Sequence, residues 1–237
     1  MTDAERMIAE ARKALFVMVG VLAVIWAVQI VNWADSYRLS VDYGIKARDV
    51  GSLPDILTAP FMHYSWDHIE GNSGPLFIFG FLAAYRGVRK FVGLSLLVVA
   101  VSGLGAWFTS ADNSVTAGAS GVVFGYFGYI LVRGAFDRHK IDIVIGLVMA
   151  LCFAYQFTVL LPHNGISWQG HLFGFAGGIL GGWIFRDRSA ATADTLGRAP
   201  EKSVTGGAGP GGSGKGGDAP APGSAAALLK ELDDLGL

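Results

Sequence analysis

Three short stretches carry the side chains that could do chemistry in an otherwise apolar chain. One is a lone hydroxyl, Ser120, between Gly118 and Gly121, at the head of a run that stays apolar to Val132. The second is His68-Ile-Glu-Gly-Asn72. The third is Gly170-His171-Leu-Phe-Gly174, with Gly178 one turn further on. A serine hydroxyl becomes a nucleophile when a neutral imidazole within hydrogen-bond reach takes its proton. Ser120 is therefore the expected nucleophile. His171 is the expected general base, and then the acid for a leaving amine. No Asp or Glu accompanies His171 on its helix, so a dyad is expected, with the ring oriented by packing and other contacts. Attack on an amide creates an oxyanion, which needs donors. His68 and Asn72 are four residues apart and share a helix face. With the Ser120 backbone N–H they would form an oxyanion hole. His63 is expected to support the site or to lie at the membrane interface.

Each of these residues has a plainer reading. A serine between glycines often only lets two helices approach, and Asn72 could bridge helices without catalysis. Helix packing accounts for the glycines but not for His171. An imidazole inside a bilayer costs free energy unless it has a polar partner.

The elements that must position these groups follow from the charge pattern. Of 237 residues, 52% are hydrophobic and 16% charged, against about 25% charged in soluble domains. Residues 14–33 form a run of 20 without a charge. That is enough for a helix to cross a hydrocarbon core of about 30 Å. Further spans are expected at 65–85, 91–111, 115–132, 141–161 and 167–185. The last two share an uncharged run of 43 residues, split by the turn-forming Pro162-His163-Asn164-Gly165. Pro75 is expected to kink or open the second span. The long connection 34–62 reads as a half-buried segment at the membrane interface. The result is an all-α polytopic membrane protein with six transmembrane helices. No signal peptide is expected, and Cys152 reads as a small buried hydrophobe.

Residues 1–13 read as a cytoplasmic N-terminal segment and 14–186 as the helical domain. Residues 187–224 read as a disordered linker rich in Gly, Pro and Ser. Residues 225–237 read as a short amphipathic helix. Lys and Arg gather at the N-terminus and after the second, fourth and sixth spans, which places both termini in the cytoplasm. The second, fourth and sixth helices then all run from outside to inside. His68, Ser120 and His171, each near the start of one of them, share a depth near the outer face. Gly121 and Gly125 on the fourth helix, and Gly174 and Gly178 on the sixth, would let those backbones meet and bring His171 to Ser120.

Taken together, these motifs resemble the rhomboid family of intramembrane serine proteases. Gly118-Ala-Ser120-Gly121 is similar to the family's G-x-S-G nucleophile motif. His68-x-x-x-Asn72, with His63 upstream, is similar to its second-helix motif, and His171-x-x-Gly174-x-x-x-Gly178 to its sixth. Gly44-Ile45 and the run from Ala59 to His63 look like its first loop. The resemblance covers roughly residues 14–186. It implies a six-helix rhomboid bundle of bacterial type in the plasma membrane, cutting single-span protein substrates in or near their transmembrane segment. It implies neither metal nor cofactor, and nothing suggests nucleic acid as a partner. Phe124 stands where many members carry a hydroxylated aromatic, so stacking on His171 is expected without a phenol hydrogen bond. The Trp-Arg pair of some first loops is absent. A catalytically silent relative that binds membrane clients is the alternative. A zinc site would need His-Glu-x-x-His, and an aspartyl site two intramembrane aspartates. Neither pattern occurs.

Overall fold

Thr2 starts the first helix. Its hydroxyl accepts the Glu5 N–H, and the Glu5 carboxylate accepts the Thr2 N–H. Two donors that a helix start would leave orphaned are thereby satisfied. Helix α1 (Asp3–Ala34) consequently begins at residue 3. The polar stretch expected to precede the first span forms its opening turns. The computed structural model describes residues 2–162 and 167–187. These lie in the first of two units into which the chain divides, Met1–Arg198 and Ala199–Leu237. The expected turn at His163-Asn164-Gly165, the linker from residue 188 on and the C-terminal helix fall outside the described residues.

After α1 come α2 (Arg38–Asp42), β1 (Ile45–Lys46) and two 3₁₀ segments, Val50–Ile56 and Ala59–Phe61. Then follow α3 (Trp66–Ala84), α4 (Val88–Thr109), β2 (Val115–Thr116), α5 (Ser120–Asp137) and α6 (Lys140–Cys152). A third 3₁₀ segment, Ala154–Leu160, leads to α7 (Trp168–Ile184). The connection 34–62 is thus largely ordered. Its β1 pairs antiparallel with β2, Ile45 opposite Thr116. Ile56 packs so closely on Gly103 of α4 that a Cβ there would meet its Cγ2 at 2.4 Å.

The helices depart from the hydropathy pattern elsewhere too. The fourth helix starts at Ser120 rather than near 115, because Val115 and Thr116 pair as strand and Gly118 turns the chain at φ +128°. Helix α3 runs unbroken through Pro75, whose ring leaves only one carbonyl a turn earlier without its donor. The fifth span is broken at Phe153 and bends by 69°. There the Phe153 ring packs edge-on against Phe79 at 4.8 Å. Cys152, expected to be buried, is exposed beside this break.

Helix α5 is the centre of the bundle, with Val123, Tyr126, Phe127, Tyr129 and Ile130 all buried. Phe127 stacks on Phe79 of α3 at 5.0 Å. Among the described residues, α1 and α4 are long and apolar enough to cross a bilayer, and α6 with its bent extension makes a third candidate. Helices α3, α5 and α7 have 19, 18 and 17 residues. Apolar side chains are left exposed on the candidate spans, as Val24 and Val31 on α1, Leu96 and Phe108 on α4, and Leu147 and Leu151 on α6, and also on α7, as Leu180 and Trp183. Lipid would cover such surfaces at no cost to the backbone, whose hydrogen bonds stay within each helix.

The end of α5 away from Ser120 is closed by charge. Arg133, 7% exposed, donates to Asp137 at 3.1 Å and to Asp142 at 2.9 Å. Asp142 also pairs with Arg86 and His139. The Asp187 N–H donates to Asp137. This ties together the ends of α3 and α5, the start of α6 and the chain beyond α7. Removing one member of a buried pair leaves an uncompensated charge, which costs about 3–5 kcal/mol. Arg133→Ala should therefore lower stability by about that much, read from SDS unfolding in mixed micelles by circular dichroism.

Candidate active site

His68, Ser120 and His171 all fall in the first turn of their helices, α3, α5 and α7. The His171 Nε2 lies 2.8 Å from the Ser120 Oγ. Its Nδ1 lies 3.0 Å from the Val159 carbonyl oxygen. A carbonyl only accepts, so the neutral ring carries its proton on Nδ1 and turns the Nε2 lone pair to the serine hydroxyl. Phe124 stacks on the imidazole, centroids 4.5 Å apart and planes at 23°.

Glycine makes the meeting of α5 and α7 possible. A Cβ at Gly174 would lie 2.1 Å from the Gly121 carbonyl oxygen, and one at Gly178 would lie 1.8 Å from that of Gly125. No side chain fits at either position. The α5 glycines serve a second contact. A Cβ on Gly121 would strike Ser102 Oγ at 2.2 Å, and one on Gly125 would strike Val98 at 2.1 Å, both on α4. Ser102, which the sequence pattern does not single out, donates to the Gly170 carbonyl at 2.8 Å and so joins α4 to α7 one residue before His171.

The turn before Ser120 is held from the first connection. The Gly118 N–H donates to the Ala59 carbonyl at 2.9 Å, and the Ala119 N–H to His63 Nε2 at 3.3 Å. The Tyr64 hydroxyl donates to the Val115 carbonyl at 3.0 Å. The neighbouring donors are therefore occupied. The N–H of Ser120, at the head of a helix, is one of the donors that helix geometry leaves without an intrahelical acceptor.

His68 and Asn72 border the same turn. A Cβ on Gly118 would lie 2.8 Å from His68 Nε2 and 3.8 Å from Asn72 Nδ2. His68 Nδ1 faces the Tyr64 N–H at 3.4 Å, which leaves the ring proton on Nε2, toward Gly118. Asn72 Nδ2 is buried and has no hydrogen-bond partner among the described residues. The side-chain donors of His68 and Asn72 thus lie beside the backbone of Gly118-Ala119-Ser120. A cavity of about 610 Å³ is lined by His68, Asn72, Gly118 and Ser120 together with Ser102, Tyr155 and Val159.

His63 is fully buried. Its carbonyl accepts from Asn32 Nδ2 at 2.8 Å and Ser40 Oγ at 3.0 Å. Gln29 of α1 donates to the Ser65 carbonyl. Asn32 and Gln29 were not singled out by sequence. The only signal they carry is polarity near the end of an apolar run. They fasten α1 to the start of α3.

The apolar helices and their lipid-facing surfaces define a multi-pass membrane protein. The Rhomboid domain family matches residues 51–188, and the chain belongs to the rhomboid family. It is 32% identical to the uncharacterized protein Rv1337 of Mycobacterium tuberculosis over 172 residues, 69% of this chain and 71% of that one. It is 32% identical to Rhomboid-like protein 11, chloroplastic, of Arabidopsis thaliana over 152 residues, 58% of this chain and 54% of that one. It is 22% identical to Rhomboid protease GlpG of Haemophilus influenzae over 180 residues, 75% of this chain and 93% of that one.

Burial, and then the neighbouring His68 ring, push the His63 pKa down from 6.5 to about 3. The folded state therefore holds His63 neutral where the unfolded chain would protonate it. Its contribution is intact above pH 6.5 and is lost progressively as pH falls toward 3. Stability measured by SDS unfolding should drop over that window, and more steeply in the parent than in His63→Gln.

Proposed function

We propose that the protein is an intramembrane serine endopeptidase that cuts membrane-anchored proteins in or near their transmembrane segment. The observation that carries this is the 2.8 Å contact between His171 Nε2 and Ser120 Oγ, with the ring proton held on the far nitrogen. In this mechanism His171 takes the Ser120 proton as Oγ attacks the scissile carbonyl. The oxyanion is received by Asn72 Nδ2, His68 Nε2 and the Ser120 N–H. The imidazolium then protonates the leaving amine, and water, activated by the same histidine, hydrolyses the acyl-enzyme. The unpartnered Asn72 donor supports this assignment, since a buried amide without a partner costs free energy that an incoming oxyanion would recover. His63, Gly118, Gly121, Phe124, Gly174 and Gly178 act by position.

In the same proposal the three shorter helices also cross the membrane, giving six spans, and α7 meets lipid through exposed side chains such as Leu180 and Trp183. Helix α5, lined by neighbours along most of its length, does not need an apolar surface of its own. The distribution of Lys and Arg supports cytoplasmic termini and a site opening toward the outer face of the plasma membrane. The partners are single-span substrates and the bilayer.

The test is cleavage in liposomes of a single-span substrate with alanine or glycine at its outer end, products read by mass spectrometry. The parent should cut and Ser120→Ala should not. Asn72→Ala should lower kcat by about 10²–10³-fold, the cost of one oxyanion donor. Equal cleavage by parent and Ser120→Ala would overturn the serine mechanism. A substrate bound but never cut, with Ser120 inert to a fluorophosphonate, would point to the client-binding alternative.

A further inference from the structure

A serine–histidine pair accounts for one of the two hydrogen bonds that the His171 ring makes among the described residues. The other runs from Nδ1 to the main-chain carbonyl of Val159, 3.0 Å away on the 3₁₀ segment Ala154–Leu160. We propose that this carbonyl is a positioning group that completes the site, presented by a helix end that Pro162 keeps open.

The local sequence leaves the carbonyl free. In a 3₁₀ helix each carbonyl pairs with the N–H three residues on. For Val159 that residue is Pro162, which has no N–H. A proline also disfavours helical geometry in the residue before it. Leu161 is extended, at φ −91° and ψ 158°, and the segment ends at Leu160. The Val159 carbonyl is thus an acceptor that its own segment does not claim.

Tertiary packing aims it. The 69° bend turns the segment off the axis of α6. The Phe157 ring then lies 5.4 Å from Phe127 on α5 and 6.3 Å from Phe175 on α7. Phe175 is one helical turn beyond His171. The segment is therefore clamped to the two helices that carry Ser120 and His171.

The chemistry follows from the acceptor. The Nδ1 proton stays on the ring, and the Nε2 lone pair faces the hydroxyl. When Nε2 takes the serine proton, the carbonyl dipole faces the cation and accepts no proton itself. Serine hydrolases of soluble type use a carboxylate here, and losing its control of the tautomer is severe. A carbonyl performs the same orientation without a second buried charge, which an apolar bundle would penalise.

The inference rests on the serine–histidine reading of the site, and the experiment separates the two. Protein labelled with ¹⁵N-histidine is compared with Pro162→Ala and with Leu161→Ala, the His171 signals being assigned by their loss in His171→Gln. Pro162→Ala supplies an N–H that competes for the Val159 carbonyl from an exposed position. Leu161→Ala alters the same turn and leaves the proline in place. The parent and Leu161→Ala should show a single Nδ1–H tautomer. Pro162→Ala should show a mixture and should be labelled by a fluorophosphonate at Ser120 about tenfold more slowly, the effect of one neutral hydrogen bond. A parent ring protonated on Nε2, or a Pro162→Ala protein with the parent's tautomer and rate, would overturn the positioning role. A parent that takes no label while holding the Nδ1–H tautomer would overturn the serine mechanism and leave the Val159 bond standing.

Discussion

Everything at the site depends on two backbones touching where no side chain intervenes. Gly174 and Gly178 lie against the carbonyls of Gly121 and Gly125 at separations that exclude even a methyl group. That contact sets the distance between α5 and α7, and hence between Ser120 and His171. In a bilayer no hydrophobic gain draws two apolar helices together, so close packing and polar contacts must do so. The glycines supply the packing. The Ser102 bond to the Gly170 carbonyl and the His171 bond to Ser120 supply polar contacts at the same end. On its other flank α5 uses the missing side chains of Gly121 and Gly125 to admit α4. One short helix is thereby gripped from two sides.

The bundle is polar at both ends for different reasons. At the Arg133 end the polar groups are charges paired with one another, and they fasten several helix ends into one unit. Immediately around Ser120 they are neutral donors and acceptors, and some are unspent. Among the described residues, Asn72 Nδ2 has no acceptor, and the N–H at the head of α5 has none within its helix. Around them the donors of Gly118 and Ala119 are taken by the first connection, whose end at His63 is anchored in turn by Asn32 and Ser40. The loop therefore fixes the turn that carries Ser120 while leaving the groups beside it unengaged.

The side chains that meet at the candidate site were largely legible in the sequence. Ser120, His171, His68 and Asn72 stand out because polar groups are rare and costly in long apolar runs. Their periodicity puts them on helix faces, and the alternation of charge puts three of them at the same end. The glycine pairs were legible for the same reason, since small residues four apart mark one face. Gly118 could be read as part of a motif. Its φ of +128° and its closeness to His68 could not.

Tertiary structure alone decided where spans bend and which backbone atoms meet. Hydropathy treats 141–161 as one helix, because a 69° break between apolar residues leaves no trace in polarity. It starts the fourth helix near 115, because a two-residue strand pairing with Ile45 depends on a partner 71 residues away. It misses Asn32 and Gln29, whose partners, the His63 and Ser65 carbonyls and Ser40, lie beyond the end of the apolar run. Above all it cannot show the Val159 carbonyl. Every residue carries that group, and only the fold determines which one is left free and aimed at an imidazole.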